Sequence, residues 1–410
     1  MDEGLRRVAM VSMHTSPADT PGRGDAGGMN VTILGLAQAL ARRGVEVDLI
    51  SRATATPETV AIVDGVTLRT LAAGPLTPIP KARLVDVADE FGEAVAGLVD
   101  RSAPRYDLLH SHYWLSGLAT LPVAIELGLP FVQSFHTLAA MKNRSLPPGD
   151  EPEPEGRLRG EAFLGNQADA VVAGSAAEVS VLIDELHAPP EHLWVIPPGV
   201  DTEQFTPDRA VRRSAVRDFL ELDPERPLLL SVGRLQPLKD QELAIRILAG
   251  LGERSPQLVI VGDASDAAYL LNLRRTAAEL GVHNDVRFVG ALDRQTLADL
   301  FAAAYCTLVT SHSETFGLVA LESAASGTPV VAYRAGGLSE SVRDGESGIL
   351  MDTRDPGDWA SVILNRGERR LDSLRESARQ FAEGLTWAAA AASHLALYES
   401  LLAREPQSRP

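Results

Sequence analysis

Pro197-Pro-Gly-Val-Asp-Thr-Glu-Gln-Phe-Thr-Pro207 interrupts an otherwise regular alternation near the middle of a chain of 410 residues. Before it, short β-branched runs predict strands at Val8–Ser12, Val45–Ser51, Asp107–His110, Phe131–Phe135, Ala170–Ala173 and Trp194–Ile196, with helical patterns such as Met29–Arg43 between them. After it the alternation resumes, with strands predicted at Leu228–Val232, Leu258–Gly262, Val286–Val289, Cys306–Thr310 and Pro329–Ala332. Strands alternating with helices build parallel sheets covered on both faces. A Pro/Gly-rich pause between two such series therefore predicts two doubly wound, Rossmann-like α/β domains, residues 1–198 and 199–385. Sheets of this kind bind ligands at the carboxyl ends of their strands, so two facing domains enclose a cleft. Thr386–Arg404 is Ala-rich with one apolar face, and the segment 386–410 is expected to form a helix that crosses back onto the first domain.

Composition narrows the ligands. A formal net charge of -17 and the absence of any basic run argue against sequence-independent binding to nucleic acid. Any anionic ligand must then be held by a local cluster of cations. The chain has only three lysines, Lys81, Lys142 and Lys239, against 35 arginines, so a lysine marks a place where a compact ammonium replaces a planar fork. Cys306 stands alone in the apolar stretch AAAYCTLVT and reads as a buried thiol, consistent with a reducing cytoplasm. MDEGLRRVAMVSM lacks the pattern of a signal peptide. The longest apolar region, residues 115–132, is broken by Pro122, Glu126 and Pro130 and predicts a helix, turn and strand rather than a membrane span. Pro147–Pro154 is a loop by composition, and a cytoplasmic protein is expected.

Three stretches carry the chemistry. Pro21-Gly-Arg-Gly-Asp-Ala-Gly-Gly-Met-Asn30 spends four glycines in ten residues between the first strand and the first helix. There Gly27 and Gly28 let backbone approach a ligand and leave the free N–H groups of the helix aimed at an anion, although the spacing is neither GxGxxG nor a Walker loop. Val232-Gly-Arg234-Leu-Gln-Pro-Leu-Lys239-Asp240 follows a buried strand and sets one guanidinium and one ammonium where they can neutralise a diphosphate. Glu314-Thr-Phe316-Gly317-Leu318-Val-Ala-Leu-Glu322 places two carboxylates eight residues apart around a glycine turn at a helix start. Alone, either glutamate is a surface residue; beside Arg234 and Lys239 they suit hydrogen bonds from sugar hydroxyls.

These residues carry a family resemblance. GRLQPLKD, SETFGLVALE and SGTPVVAYRAGGLSESVRDGESG resemble the retaining glycosyltransferases of family 4, which have the GT-B fold. MHTSPADTPGRGDAGGMNV, HSHYWLSG and FHTLAAMKN are similar to the branch that moves N-acetylglucosamine from UDP-N-acetylglucosamine to an inositol phosphate in mycothiol biosynthesis. The resemblance implies a nucleotide-sugar donor held by Gly27, Gly28, Arg234, Lys239, Arg287, Glu314, Phe316, Gly317, Leu318 and Glu322, with Arg287 covering the base through its backbone. For a phosphorylated cyclitol acceptor it implies Asn30, Lys81, Tyr113, Thr137 and Arg157, and it suggests a homodimer.

The catalytic set implied is His136, Arg234, Lys239 and Glu314, with the His136 backbone carbonyl steadying developing positive charge at the anomeric carbon and the departing phosphate taking the acceptor's proton. His110 and His112 lack nearby carboxylate or Cys partners and read as structural, and no Asp-x-Asp triplet occurs, so neither a metal nor another cofactor is expected. Two other readings stay open. One is a related transferase using another nucleotide sugar and another cyclitol or small acceptor; departures such as Gly174-Ser-Ala-Ala-Glu178 lie on the acceptor side. The other is a sugar-nucleotide epimerase.

Overall fold

Fourteen short strands, half of them buried at every residue, divide between two sheets in the computed structural model, which describes residues 5–147, 149–252, 256–264, 266–364 and 371–403. The first sheet holds β1 (Arg7–Val11), β2 (Glu46–Arg52), β3 (Thr59–Val63), β4 (Val66–Leu71), β5 (Leu108–His112), β6 (Phe131–Ser134), β7 (Ala170–Ala173) and β8 (Leu193–Val195) in the order β3-β4-β2-β1-β5-β6-β7-β8. The second holds β9 (Leu228–Val232), β10 (Gln257–Val261), β11 (Val286–Val289), β12 (Cys306–Val309), β13 (Val330–Tyr333) and β14 (Gly348–Met351) in the order β11-β10-β9-β12-β13-β14. All pairings are parallel except β3 with β4. This is the GT-B arrangement of two Rossmann-like sheets.

Three elements were not anticipated from the sequence. β3 and β4 form a hairpin whose turn, Asp64-Gly65 with Gly65 at φ +79°, is the two-residue type that suits right-twisted strands. β14 is the short strand GILM at the far edge of the second sheet.

Strand order reverses at β1/β5 in the first sheet and at β9/β12 in the second, and such switch points open a crevice at the carboxyl ends. From the end of β1 runs the glycine stretch, which leads into the helix Gly28–Ala41; from the end of β9 runs Gly233-Arg234. The ligand-bearing loops of both sheets therefore face one cleft.

The chain crosses between the sheets twice, and the crossings pair. The Val200 N–H donates to the Leu385 carbonyl (2.9 Å). A Cβ on Gly199 would lie 2.2 Å from the Trp387 nitrogen, so only glycine permits this approach. The helix Trp387–Leu402, N-capped by Thr386, then packs on Gly28–Ala41, with Trp387, Leu397, Tyr398 and Leu401 in one apolar cluster with Val8, Ile33 and Leu49. Gly35 receives the Trp387 ring, which would stand 2.5 Å from a Cβ there. Residues 404–410 of the expected C-terminal segment and Pro148 of the expected loop lie outside the described residues.

Candidate functional site

One cavity of about 370 Å³ lies between the two sheets, in the range typical of small-ligand sites. Its walls include Gly27, Gly28, Lys81, Tyr113, His136, Thr137, Arg234, Lys239, Glu314, Phe316, Gly317, Leu318 and Glu322. The helices Gly28–Ala41 and Leu318–Ala325 meet N-terminus to N-terminus across it: a Cβ on Gly28 would lie 3.5 Å from Leu318 Cδ1. Their unpaired first-turn N–H groups give the cleft positive character from both sides.

The glycine stretch reaches over to the second domain. The Asp263 N–H lies 3.4 Å from the Gly22 carbonyl, and Arg234 Nη1 lies 3.4 Å from Asp25 Oδ1. Asn30 holds this loop rather than facing the cavity. Its side chain accepts from the Gly27 N–H (2.9 Å) and donates to Thr15 Oγ1 (3.0 Å) and the Ser16 carbonyl (2.6 Å), and the residue is 1 % exposed. Both amide protons and one acceptor position of Asn30 are thus engaged within the loop, and the residue is not among those that line the cavity.

On the second domain Lys239 Nζ donates to Glu314 Oε1 (2.5 Å), which also accepts from Ser311 Oγ (2.7 Å). Glu322 is paired with Arg294 (2.9 Å), a cavity residue that the sequence reading did not single out. Arg287 lies within β11, and its guanidinium turns back to the Asn284 carbonyl (2.8 Å), which leaves open the backbone contact expected of it; the second-domain wall of the cavity includes Gly262, Ala291, Leu292 and Arg294. Behind the Glu314–Phe316 loop, the Gly337 N–H donates to the Glu314 carbonyl (2.9 Å), and a Cβ on Gly337 would lie 2.0 Å from the Thr315 oxygen. Gly337→Ala is therefore expected to push this loop out of place, raising the donor KM at least about tenfold and lowering Tm. Kinetics with both substrates varied check this; an unchanged donor KM would show that the loop is set otherwise.

On the first domain the residues expected at the acceptor phosphate converge. Lys81 Nζ lies 4.5 Å and Arg157 Cζ 5.0 Å from the Tyr113 ring centroid. Arg157 Nη2 donates to the Thr137 carbonyl (2.9 Å) and Oγ1 (3.0 Å), while Nε meets Glu161 (2.7 Å) and Nη1 meets Glu153 (2.9 Å). Lys142 sits in the helix Ala139–Arg144, lines the same wall and pairs with Glu153 (2.6 Å). Burial pushes the Lys81 ammonium down to about 8; Asp25 opposes the shift, and Arg157 and Arg234 add to it.

Tyr113 and His136, at the ends of β5 and β6, adopt φ +74° and +61°. Non-glycine residues there cost on the order of 1–3 kcal/mol each, and such strain concentrates at functional sites. Both side chains line the cavity. His136 Nε2 is hydrogen-bonded to His112 Nδ1 (2.9 Å), and its carbonyl accepts from Thr315 Oγ1 (2.7 Å), so the carbonyl expected to face the sugar is tied to the second domain through one of its lone pairs. Burial holds the His136 imidazole neutral, at about 3. His110 is structural, bridging Tyr398 (2.7 Å) and Ser134 (2.9 Å). His14 was missed: it stacks on Tyr113 with centroids 4.3 Å apart, and its buried Nδ1 has no protein partner. Its position three residues past β1, at the first switch point, is the signal that marks it. Among the described residues no group of His, Cys, Asp or Glu is arranged to hold a metal ion, and no helix is long and apolar enough to cross a membrane.

Two facing Rossmann-like sheets with cations on both walls of the cleft define a glycosyltransferase, and comparison with known proteins agrees. Residues 26–204 match the model of Glycosyltransferase Family 4, and residues 213–383 match that of Glycosyl transferases group 1. The sucrose-phosphate synthase of Thermosynechococcus elongatus superposes with a TM-score of 0.88 at 30 % identity over 97 % of this chain and 99 % of that one. Anabaena HepE in complex with UDP and glucose superposes at 0.76 with 19 % identity over 96 % and 100 %, which shows the fold alone.

Among sequence relatives, the D-inositol 3-phosphate glycosyltransferase of Thermobifida fusca is 43 % identical over 97 % of this chain and 94 % of that protein. The protein of the same name from Acidothermus cellulolyticus is 45 % identical over 87 % and 82 %. The chain belongs to the D-inositol 3-phosphate glycosyltransferase family.

Proposed function

We propose that this enzyme transfers N-acetylglucosamine, with retention, from UDP-N-acetylglucosamine to 1D-myo-inositol 3-phosphate, the first step of mycothiol biosynthesis. The observation that carries the reading is the pair of cationic groups on opposite walls of one cavity: Lys81 beside Tyr113 on one wall, with the buried Arg157 behind the same ring, and Arg234 and Lys239 on the other. A donor diphosphate occupies only the second. The first calls for a phosphate on the acceptor, which an unphosphorylated acceptor would leave unused.

In this account Arg234, Lys239 and the N-terminus of Leu318–Ala325 stabilise the departing diphosphate without need of a divalent metal or other cofactor. Glu314, released from Lys239 as the phosphate takes that ammonium, accepts hydrogen bonds from the sugar hydroxyls, and Glu322, oriented by Arg294, accepts from the ribose. The phosphate oxygen receives the acceptor's proton, and the buried neutral His136 shapes the pocket beside the anomeric carbon. A cytoplasmic homodimer, the state the resemblance implies, is proposed with it; sedimentation of the purified protein reads the dimer directly.

The donor sugar is tested by competition. UDP-N-acetylglucosamine is expected to exceed UDP-glucose in kcat/KM by at least about tenfold, and the product should carry the α-anomeric configuration. Equal use of the two donors would reassign the sugar, and a β-linked product would overturn retention.

Acceptor binding should also depend on pH. Lys81 is charged below about 8, so the KM for the phosphorylated acceptor is expected to rise as pH passes from below that value to above it. Lys81→Met should raise the KM throughout and flatten the dependence. A wild-type KM constant across that range would remove Lys81 from the phosphate site.

A further inference from the structure

We propose that Glu178 is a positioning residue for the transfer, whose carboxyl group keeps the end of β7 in register with the donor loop of the second domain. It lies in the first turn of the helix Ala176–Asp184, lines the reaction cavity, and is 1 % exposed. One carboxyl oxygen, Oε2, accepts from the Gly174 N–H (2.8 Å); the other, Oε1, is buried with no hydrogen-bond partner among the described residues. The Glu178 N–H donates to Ser175 Oγ (3.2 Å), and that hydroxyl donates to the Thr315 carbonyl (2.7 Å). Thr315 Oγ1 in turn donates to the His136 carbonyl (2.7 Å). A Cβ on Gly174, whose N–H the carboxyl holds, would lie 3.8 Å from Pro198 of the interdomain linker and 3.8 Å from Phe316 of the donor loop. One buried side chain thus anchors the Gly174-Ser175 corner, from which one hydrogen bond runs to Thr315 of the second domain, and Thr315 returns a second to His136 of the first.

The group acts as a neutral acid. An ionised carboxylate with an unpartnered oxygen in this interior would be strongly destabilising. The charged groups facing it are Glu161, from the helix Glu155–Gln167, and Glu340, from Leu338–Ser341, both of which oppose its ionisation. Burial chiefly, with these two carboxylates adding and the Gly174 N–H opposing, raises it to about 8. Glu178 is therefore protonated at neutral pH, and its ionisation above that value disturbs the corner.

The experiment compares wild type, Glu178→Gln and Glu178→Ala by UDP release at saturating donor and acceptor, across about pH 6 to 9.5. Saturation removes the effect of Lys81 on acceptor binding. Wild-type kcat is expected to fall about tenfold per pH unit above a midpoint near pH 8. E178Q, a neutral isostere, should keep kcat within about threefold at neutral pH and lose that fall, while E178A should lose more than about tenfold. An alkaline fall shared by wild type and E178Q, E178Q as slow as E178A at neutral pH, or a wild-type profile with no midpoint between about 7 and 9 would each overturn the proposal.

The assay rests on the function proposed above, so melting is measured in parallel. Because the folded pKa lies above the unfolded value of 4.5, the Glu178 contribution to stability is complete below that value and is lost as pH rises towards about 8. Tm of wild type relative to E178Q should therefore decline across that window and level above it. If wild type catalyses no transfer, the function fails and the melting comparison alone decides Glu178; a constant Tm difference overturns it.

Discussion

Lys239→Ala is expected to lower kcat by about 10²–10³-fold while leaving Tm nearly unchanged. Lys239 closes a short 3₁₀ turn at the carboxyl end of β9, and its ammonium stands with Arg234 and Arg294 on the donor side of the cavity. With a quarter of its side chain exposed and, among the described residues, one close ion pair, with Glu314 at the cavity surface, it contributes little to folding. Its effect appears when negative charge builds on the leaving diphosphate, which a positioned ammonium stabilises more in the transition state than in the bound donor. The loss should fall on kcat rather than on donor KM. Lys239→Arg should recover only part of the rate, because a planar fork does not place charge where a compact ammonium does. Steady-state kinetics with melting curves of both variants check this; kcat of K239A within about threefold of wild type would remove Lys239 from the site.

Arg157→Met is expected to damage binding and folding together, and a second substitution separates the two. Its guanidinium holds Thr137 and two carboxylates, of which Glu161 is fully buried. Removing one partner of a buried pair typically costs about 3–5 kcal/mol, so the single variant should melt several degrees lower. The KM for inositol 3-phosphate should rise at least about hundredfold, because a charge-assisted phosphate contact is lost from a partly dry pocket. Glu161→Gln in the same chain retains an oxygen for the Ala139 N–H (2.8 Å in the native protein) and removes the unpaired charge. The double variant should therefore regain most of the Tm but none of the acceptor affinity. Recovery of both would make Arg157 a structural residue only.

The two-domain fold was legible because each central strand is buried on both faces and so appears in the sequence as a short apolar run. The elements that escaped are at the edges. β3 is largely exposed and polar-flanked, and β14 is four residues after a turn; only the Asp64-Gly65 dipeptide announced the hairpin. Within the site, positions fixed by local geometry were readable: glycines before a helix, cations after a strand, carboxylates around a helix start. Partnerships across the chain were not. Spacing contains nothing that pairs Arg294 with Glu322 or Lys142 with Glu153, since those contacts exist only once the helices are packed. Asn30 shows the converse, a polar residue in the right stretch whose amide makes three hydrogen bonds within the loop it stabilises, none of them readable from spacing. Arg287 lies within β11 rather than beyond its carboxyl end, and it is not among the residues that line the cavity.

The measurement that bears most directly on the account is UDP release from UDP-N-acetylglucosamine with 1D-myo-inositol 3-phosphate, with unphosphorylated myo-inositol and no acceptor as controls. Release that requires the phosphorylated acceptor, and that is lost at low acceptor concentration in Lys81→Met, is the result the two facing cationic clusters predict. Equal release with myo-inositol, or release indifferent to Lys81, would contradict the assignment of the Lys81–Tyr113–Arg157 cluster to an acceptor phosphate.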